Sequence, residues 1–538
     1  MCLCTSRELK ISQCYDVLVI GSGIAGISAA IAAGEAGARV AIVCKGNLFS
    51  GSSFYPNTWG LGLIGPADSE DEPDLIHTIE RVGCGVTRRE LVESLVRGIS
   101  SAISHTEEMG VKLRKTQSGG NEKEYIPCFD HKHRAWNGLE ADSCREVFSR
   151  KFEELNIQIL AGWEALELVK NGERVCGAVF SNGQELQYLG CKALVLATGG
   201  YGSLFQHHLC TTDVEGVGQS LALDAGCSLI NMEFMQIMPG YLSPAYGTVF
   251  NEKVFRFSRL EHEHTELLNP ETRDKLLIQR SGHGPFTSRL EDRAVDIAIQ
   301  QAENGVRVSY TEDLKQNPPE FVQTYFDWLE RAKGLTMDDS IQIGLFSHAA
   351  NGGICIDACG ATEIPGLYAA GEVTGCMHGA DRIGGLSTAN GLVFGGKAGT
   401  AAAAFAITDP EISRKTCLEM TGADDCGERF RKLQQIMTQY VMVCRNEEGQ
   451  THALEEISRL AEDMPVHFST DISEITQTWR LRRQLQTAEC IVSAAMLRRE
   501  SRGSHYRTDY PEPDDRMKRC IRIRKENCRV VASFDVNP

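Results

Sequence analysis

The sequence predicts an α/β protein whose nucleotide-binding core is laid down in two separated segments. An inserted α+β capping domain divides them, and a helical domain follows at the carboxyl end. Three observations predict this. A strand, glycine loop, helix and second strand open the chain over residues 15–43, and strand-like runs ending in glycine return at 193–200 and 366–372. Between and beyond them the character changes, to a stretch rich in Phe, Tyr, Arg and His near 240–335 and to charged helical periodicity after 410. A chain of 538 residues is also too long for one hydrophobic core.

The first element is the apolar run 15–20, which leads straight into Gly21, Ser22, Gly23, Ile24, Ala25 and Gly26. In this order the three glycines have separate tasks: Gly21 permits a tight turn, Gly23 lets backbone approach a pyrophosphate, and Gly26 allows close helix–strand packing. The helix beginning there directs free N–H groups at phosphate. A second apolar run, 38–43, completes a Rossmann-like β-α-β unit. Such a unit usually carries an acid at the end of its second strand to hold ribose hydroxyls, but Cys44 and Lys45 stand there. The departure argues against a simple nicotinamide dehydrogenase.

Residues 67–112 read as helical, with Leu91, Val92, Leu95 and Val96 on one face. Strand-like runs follow at 157–160 and 175–180, and the run 193–200 ends in Thr198, Gly199 and Gly200, suited to the far side of a dinucleotide. The α/β pattern resumes at 352–357 and 366–372, and helical segments at 427–445, 452–462 and 474–499 form a small bundle. A basic stretch, 516–529, and an apolar stretch, 530–534, close the sequence. The expected domains are 14–240 and 341–410 for the nucleotide-binding core, 241–340 for the cap, 411–512 for the bundle and 513–538 for a tail.

Composition narrows the function. Hydrophobic residues at 42% and charged residues at 24% suit a globular protein, while a net charge of −17 argues against a nucleic-acid partner. The 20 cysteines include no CxxC pair, so no zinc, haem or iron–sulfur site is expected; the nearest pairs are Cys2/Cys4 and Cys355/Cys359. A polar amino terminus and interrupted apolar runs predict a cytoplasmic protein with no membrane segment.

Several segments together resemble the flavoprotein subunits of fumarate reductase and succinate dehydrogenase, and L-aspartate oxidase. They are residues 21–26, 50–53, 197–200, 232–236, His348 with Gly352 and Gly353, 371–372, and 378–382, with 500–505 and 509–511 near the end. The resemblance implies FAD held by Gly21, Gly23, Ile24, Ala25, Gly26, Lys45, Ser52, Ser53, Thr198, Gly199, Gly371, Glu372, Arg382 and Ser387. Some members attach FAD through a histidine in the loop after the second strand. None lies between Lys45 and Gly62, so noncovalent FAD is expected.

The resemblance also implies a site for a small carboxylate substrate. Arg382 falls at the family's substrate arginine, where a guanidinium can make paired bonds to a carboxylate. His348 matches a second carboxylate-binding residue. Arg289 falls near the family's proton-transfer arginine, although its surroundings lack the usual Arg-Asp pair. Where the family carries a histidine before a proline, this chain has Met238, and Asn251–Glu252 is the nearest counterpart of a Thr-Glu pair. Methionine suits an apolar group rather than a second carboxylate. The expectations are therefore hydride transfer between flavin and a carboxylate-bearing substrate with a less polar second end, an L-aspartate oxidase-like reaction, or a flavin-binding subunit without turnover. A separate electron-transfer protein is an expected partner.

Overall fold

The run beginning at Tyr15 is apolar on both strand faces because both faces are covered. A computed structural model describes residues 6–535 and places this run in a strand, Ser6–Ile20, at the centre of an eight-stranded sheet. Val40–Cys44 pairs parallel on one side and Leu186–Leu196 on the other, with Gln158–Ala161 beyond the former. Arg174–Ser181 and Glu164–Asn171 extend the far edge antiparallel. Leu367–Ala369, from the second sequence segment, joins the same sheet parallel to Leu186–Leu196. The sheet is thus assembled from chain on both sides of the cap.

Helix Ile24–Glu35 is apolar nearly all round because it is buried between this sheet and the 21-residue helix Leu386–Ala406. Gly391, Gly395 and Gly399 recur every fourth residue along the longer helix. A methyl group on them would lie 2.5 Å from Ile24 Cγ2, 2.5 Å from Ala25 O and 2.1 Å from Ala29 O. These contacts leave no room for a side chain, so the glycine row sets how closely the helices approach.

The cap is a five-stranded antiparallel sheet, ordered Met235–Ser243, Ile341–Ala350, Val306–Tyr310, Ser258–His262 and Thr265–Glu266. Its first two strands are also the chain's way in and out, and they carry Gln236, Met238 and His348 back to the core. A small three-stranded sheet, Leu61–Gly65, Ala135–Leu139 and Leu113–Arg114, completes the wall opposite. The three carboxyl-terminal helices are Cys426–Val441, Glu447–Glu462 and Ile472–Leu497.

The segment expected as a tail is a hairpin, Ile521–Glu526 and Arg529–Phe534, hydrogen-bonded to Leu229–Ile230. Ile521 and Ile523 are buried with arginines between them, a period-two pattern hidden inside a basic run. Every described cysteine is a free thiol, and Cys2/Cys4 lies outside the described residues. Among the described residues no helix is long and apolar enough to cross a membrane.

Candidate active site

The carboxyl ends of the parallel strands open into a cavity of about 390 Å³, with Gly21, Cys44 and Ala197 at its floor and cap residues over it. At one end the backbone leaves space for a phosphate. Gly21 has φ +111°, and a Cβ there would meet Ala197 O at 2.2 Å; one on Gly26 would meet Gly21 O at 1.9 Å. Gly23 has nothing closer than Ser53 Oγ, 3.6 Å from its notional Cβ, so that side is open. Helix Ile24–Glu35 starts with neither a side-chain cap nor an acid in its first turn. A second helix, Leu386–Ala406, also begins at the cavity, where Gly385 and Ser387 line it. Two N-terminal dipole ends therefore face one space. Ser53 Oγ accepts from Ile24 N at 3.1 Å, while the buried Ser52 Oγ and Thr198 Oγ1 have no partner among the described residues.

Two acids reach the end of the second strand from elsewhere in the chain. Lys45 lines the cavity and ion-pairs with Glu215 and, at 3.6 Å, with Glu164; both acids also line it. Sequence reading missed these two because topology, not spacing, brings them to Lys45. Gly371, at φ +80°, packs on Ala25, and Glu372 accepts a hydrogen bond from Ala350 N at 2.8 Å. Burial pushes the Glu372 carboxyl above the usual range. Thr198 and Gly199 line the same end, as expected from the sequence, whereas Gly26 serves from behind by packing.

The other end is cationic. Arg382 is buried, and its Nε and Nη2 both donate to Gln236 Oε1, at 3.0 and 2.8 Å. Among the described residues no carboxylate hydrogen-bonds to it; Glu372 acts on it only at longer range. Burial lowers its pKa, and Glu372 offsets this only in part. His348 lines the cavity with Nδ1 unpartnered, and its pKa is lowered to about 3, by burial first and by Arg382 second. The imidazole is consequently neutral. Met238 lies against Leu209, Val249 and Phe346, and this apolar group faces the cavity where a histidine was expected.

Glu252 accepts a hydrogen bond from the Cys128 thiol at 2.9 Å, and Lys253 donates to Ile126 O at 3.1 Å. All three side chains line the cavity, and Cys128 O accepts from Gly384 N, two residues beyond Arg382. Burial, reinforced by Glu252, pushes the Cys128 thiol up to about 12. Lys253 and Cys128 carried no sequence signal, because only the fold brings the 126–128 turn beside them.

Arg289, like Gly26, lies outside the lining. Its Nε donates to Asp381 Oδ2 at 2.8 Å, and its guanidinium sits over the Phe129 ring. The Asp381 carboxylate, also bound by Thr287, holds it to the loop that carries Arg382. The segment 500–505 is structural in this fold. Glu500 pairs with Arg498 and Arg502, Arg498 reaches Glu233 at 2.7 Å, and Ser504 Oγ donates to Ala380 O. Ala380 lies two residues before Arg382, so Ser504 ties this segment to the loop that carries it.

Two helix ends and an open glycine turn, joined to a cationic pocket at the far side of one cavity, define a flavoprotein oxidoreductase. The orphaned hydroxyls and the Cβ-excluding glycines are what a bound dinucleotide requires. The chain belongs to the FAD binding domain family, whose sequence model matches residues 16–253 and 299–388; the model for the fumarate reductase flavoprotein C-terminus matches 430–530. It is 29% identical to L-aspartate oxidase of Yersinia pestis over 92% of this chain and 96% of that one. It is 27% identical to one subunit of the fumarate reductase (CoM/CoB) of Methanothermobacter marburgensis, over 96% and 98%. In fold it matches Mycobacterium smegmatis Sdh1 in complex with UQ1 at TM-score 0.78, with 24% identity over 97% of this chain and 94% of that one.

Proposed function

We propose that the protein transfers reducing equivalents between noncovalently bound FAD and a carboxylate-bearing substrate with a less polar second end. The observation that carries this is Arg382, a buried guanidinium facing the cavity with no carboxylate bonded to it among the described residues. A buried charge kept without a partner costs stability, and an anionic ligand would supply the partner. Gln236 fixes the fork, leaving it to orient a carboxylate by paired bonds. Neutral His348 would add a hydrogen bond without competing for charge.

Bound FAD supplies two-electron chemistry. The residues must then hold the substrate and move a proton. Arg289 is unsuited, being outside the cavity lining and ion-paired. Lys253 lines the cavity, carries N–H donors there and follows Glu252, which accepts a hydrogen bond from the Cys128 thiol, so it takes that role in this reading. Met238 argues against a dicarboxylate, and so against fumarate or succinate as the substrate.

The similarity to L-aspartate oxidases favours a second reading, amino-acid oxidation, for which Arg382 and His348 are suited and Met238 is not. That the Methanothermobacter relative is one subunit of its enzyme supports a separate electron-transfer partner. An anaerobic screen of flavin oxidation and reduction against fumarate, aspartate and assorted enoates tests the proposal. Turnover of fumarate as fast as any other enoate would refute the apolar second end, and a flavin unresponsive to every acid would point to a protein that binds flavin without turnover.

A further inference from the structure

We infer that the substrate is an aryl carboxylate, its carboxylate at Arg382 and its ring against a wall formed by Trp59, Tyr125, Trp136 and Phe321. This rests on the flavoprotein reading above. All four aromatic residues line the same cavity as Arg382. They come from separate places in the chain: a loop after residue 54, a turn at 123–125, strand Ala135–Leu139 and cap helix Glu320–Lys333.

The rings meet edge to face. Tyr125 and Phe321 centroids are 5.1 Å apart, Tyr125 and Trp136 5.2 Å, and Trp59 and Phe321 6.2 Å. Tyr125 is buried, whereas Trp59, Trp136 and Phe321 keep part of their surface uncovered. Arg114 lies over Trp136, 5.3 Å from the ring centroid. The four rings line the main cavity on one side and a smaller pocket with Arg114 and Glu320 on the other.

The wall is continuous with the charged end by two routes. Tyr125 leads directly to Ile126, whose carbonyl holds Lys253, and on to Cys128 beside the Arg382 loop. Trp59 packs against the apolar group that contains Met238. A methyl group added to Gly284 would fall 3.0 Å from Met238 Cε and 3.5 Å from Glu252 Oε2, so the thioether and the acid meet beside the same glycine. A ligand spanning these features needs an anion at one end and a flat apolar body at the other. Edge-to-face and offset contacts to several rings favour an aromatic body over a chain of equal size.

The test is a ligand series on the full-length yellow protein, read by flavin difference absorbance and by calorimetry, with no turnover required. 3-Phenylpropanoate, butanoate, succinate and 3-phenylpropanamide are the probes. 3-Phenylpropanoate should bind at least about tenfold more tightly than butanoate or succinate, from the apolar area the ring buries, and the uncharged amide should be weaker still. Phe321→Ala and Trp136→Ala should cost 3-phenylpropanoate about tenfold while leaving butanoate within about twofold. Succinate or butanoate binding as tightly as 3-phenylpropanoate would overturn the inference, as would equal losses for both acids in the variants. If the variants fail to fold, the wild-type series alone decides. A protein that takes up FAD but shows no aryl preference sinks only this inference, whereas one that takes up no FAD sinks the reading beneath it.

Discussion

Replacing Arg382 by methionine removes a buried charge while roughly keeping apolar volume. Among the described residues its hydrogen bonds go to Gln236 Oε1 and, at 3.5 Å, to Ile383 O. If the guanidinium clamps a carboxylate, two charge-assisted bonds are lost, each about 1.5–3 kcal/mol, or about 3–6 kcal/mol together. That is roughly 10² to 10⁴ in Kd for a substrate acid, with a similar loss in kcat/KM. The same substitution separates the clamp from an ordinary structural ion pair. Breaking a buried pair costs about 3–5 kcal/mol of stability, whereas removing an unpaired buried cation relieves its desolvation. The ligand-free variant should therefore melt no lower than wild type. Binding is measured by titrating carboxylates against the flavin spectrum, and stability by thermal melts without ligand. An unchanged Kd, or a melting temperature lowered by the equivalent of several kcal/mol, would refute the reasoning.

Lys253→Met should lower kcat at least about 10²-fold with FAD content unchanged, while Arg289→Met should leave kcat within about threefold; the reverse ranking would restore Arg289 to the chemistry. His348 has an ordinary pKa of 6.5 and about 3 in the fold, so below pH 6.5 the unfolded chain takes up a proton that the folded one refuses. Stability from this group is full above pH 6.5 and is lost as pH falls toward 3, by up to about 1.4 kcal/mol per pH unit. His348→Gln should flatten the pH dependence of the urea midpoint between pH 7 and 5 by up to about one proton; an identical slope would contradict the assignment. Gly26→Val forces a side chain onto Gly21 O, where even a Cβ would lie 1.9 Å away, and the variant should purify without flavin if it folds. Glu233→Ala removes one of the two carboxylates paired with the fully buried Arg498 and should cost about 1.5–3 kcal/mol in denaturant unfolding; a loss under about 0.5 kcal/mol would show that Glu500 alone suffices.

What could be read from the sequence was what local physics fixes. The run into Gly21 and Gly26 announces its turn because only glycine tolerates those contacts, and the buried strands and amphipathic helices follow from period. Arg382 and His348 were found through motif order, and both line the cavity. Arg289 lies outside the cavity lining because Asp381, 92 residues away, holds it, and no spacing near Arg289 reports that carboxylate. Lys45, Glu164 and Glu215 illustrate the same limit: the departure at Lys45 was noticed, but the acids that pair with it arrive by topology. The aromatic wall draws on four distant segments and left no pattern in any of them. Two missed features were legible. Ile521 and Ile523 alternate with arginines as a strand does, and Gly391, Gly395 and Gly399 repeat every four residues along a helix that packs tightly.

The most direct test is the ultraviolet–visible spectrum of the natively purified chain, followed by acid denaturation and mass analysis of both fractions. The account predicts a flavin spectrum in the native protein, FAD released into the supernatant, and a polypeptide of unmodified mass. Protein that remains colourless after incubation with excess FAD would contradict the glycine-turn site itself, and flavin retained on the denatured polypeptide would contradict noncovalent binding.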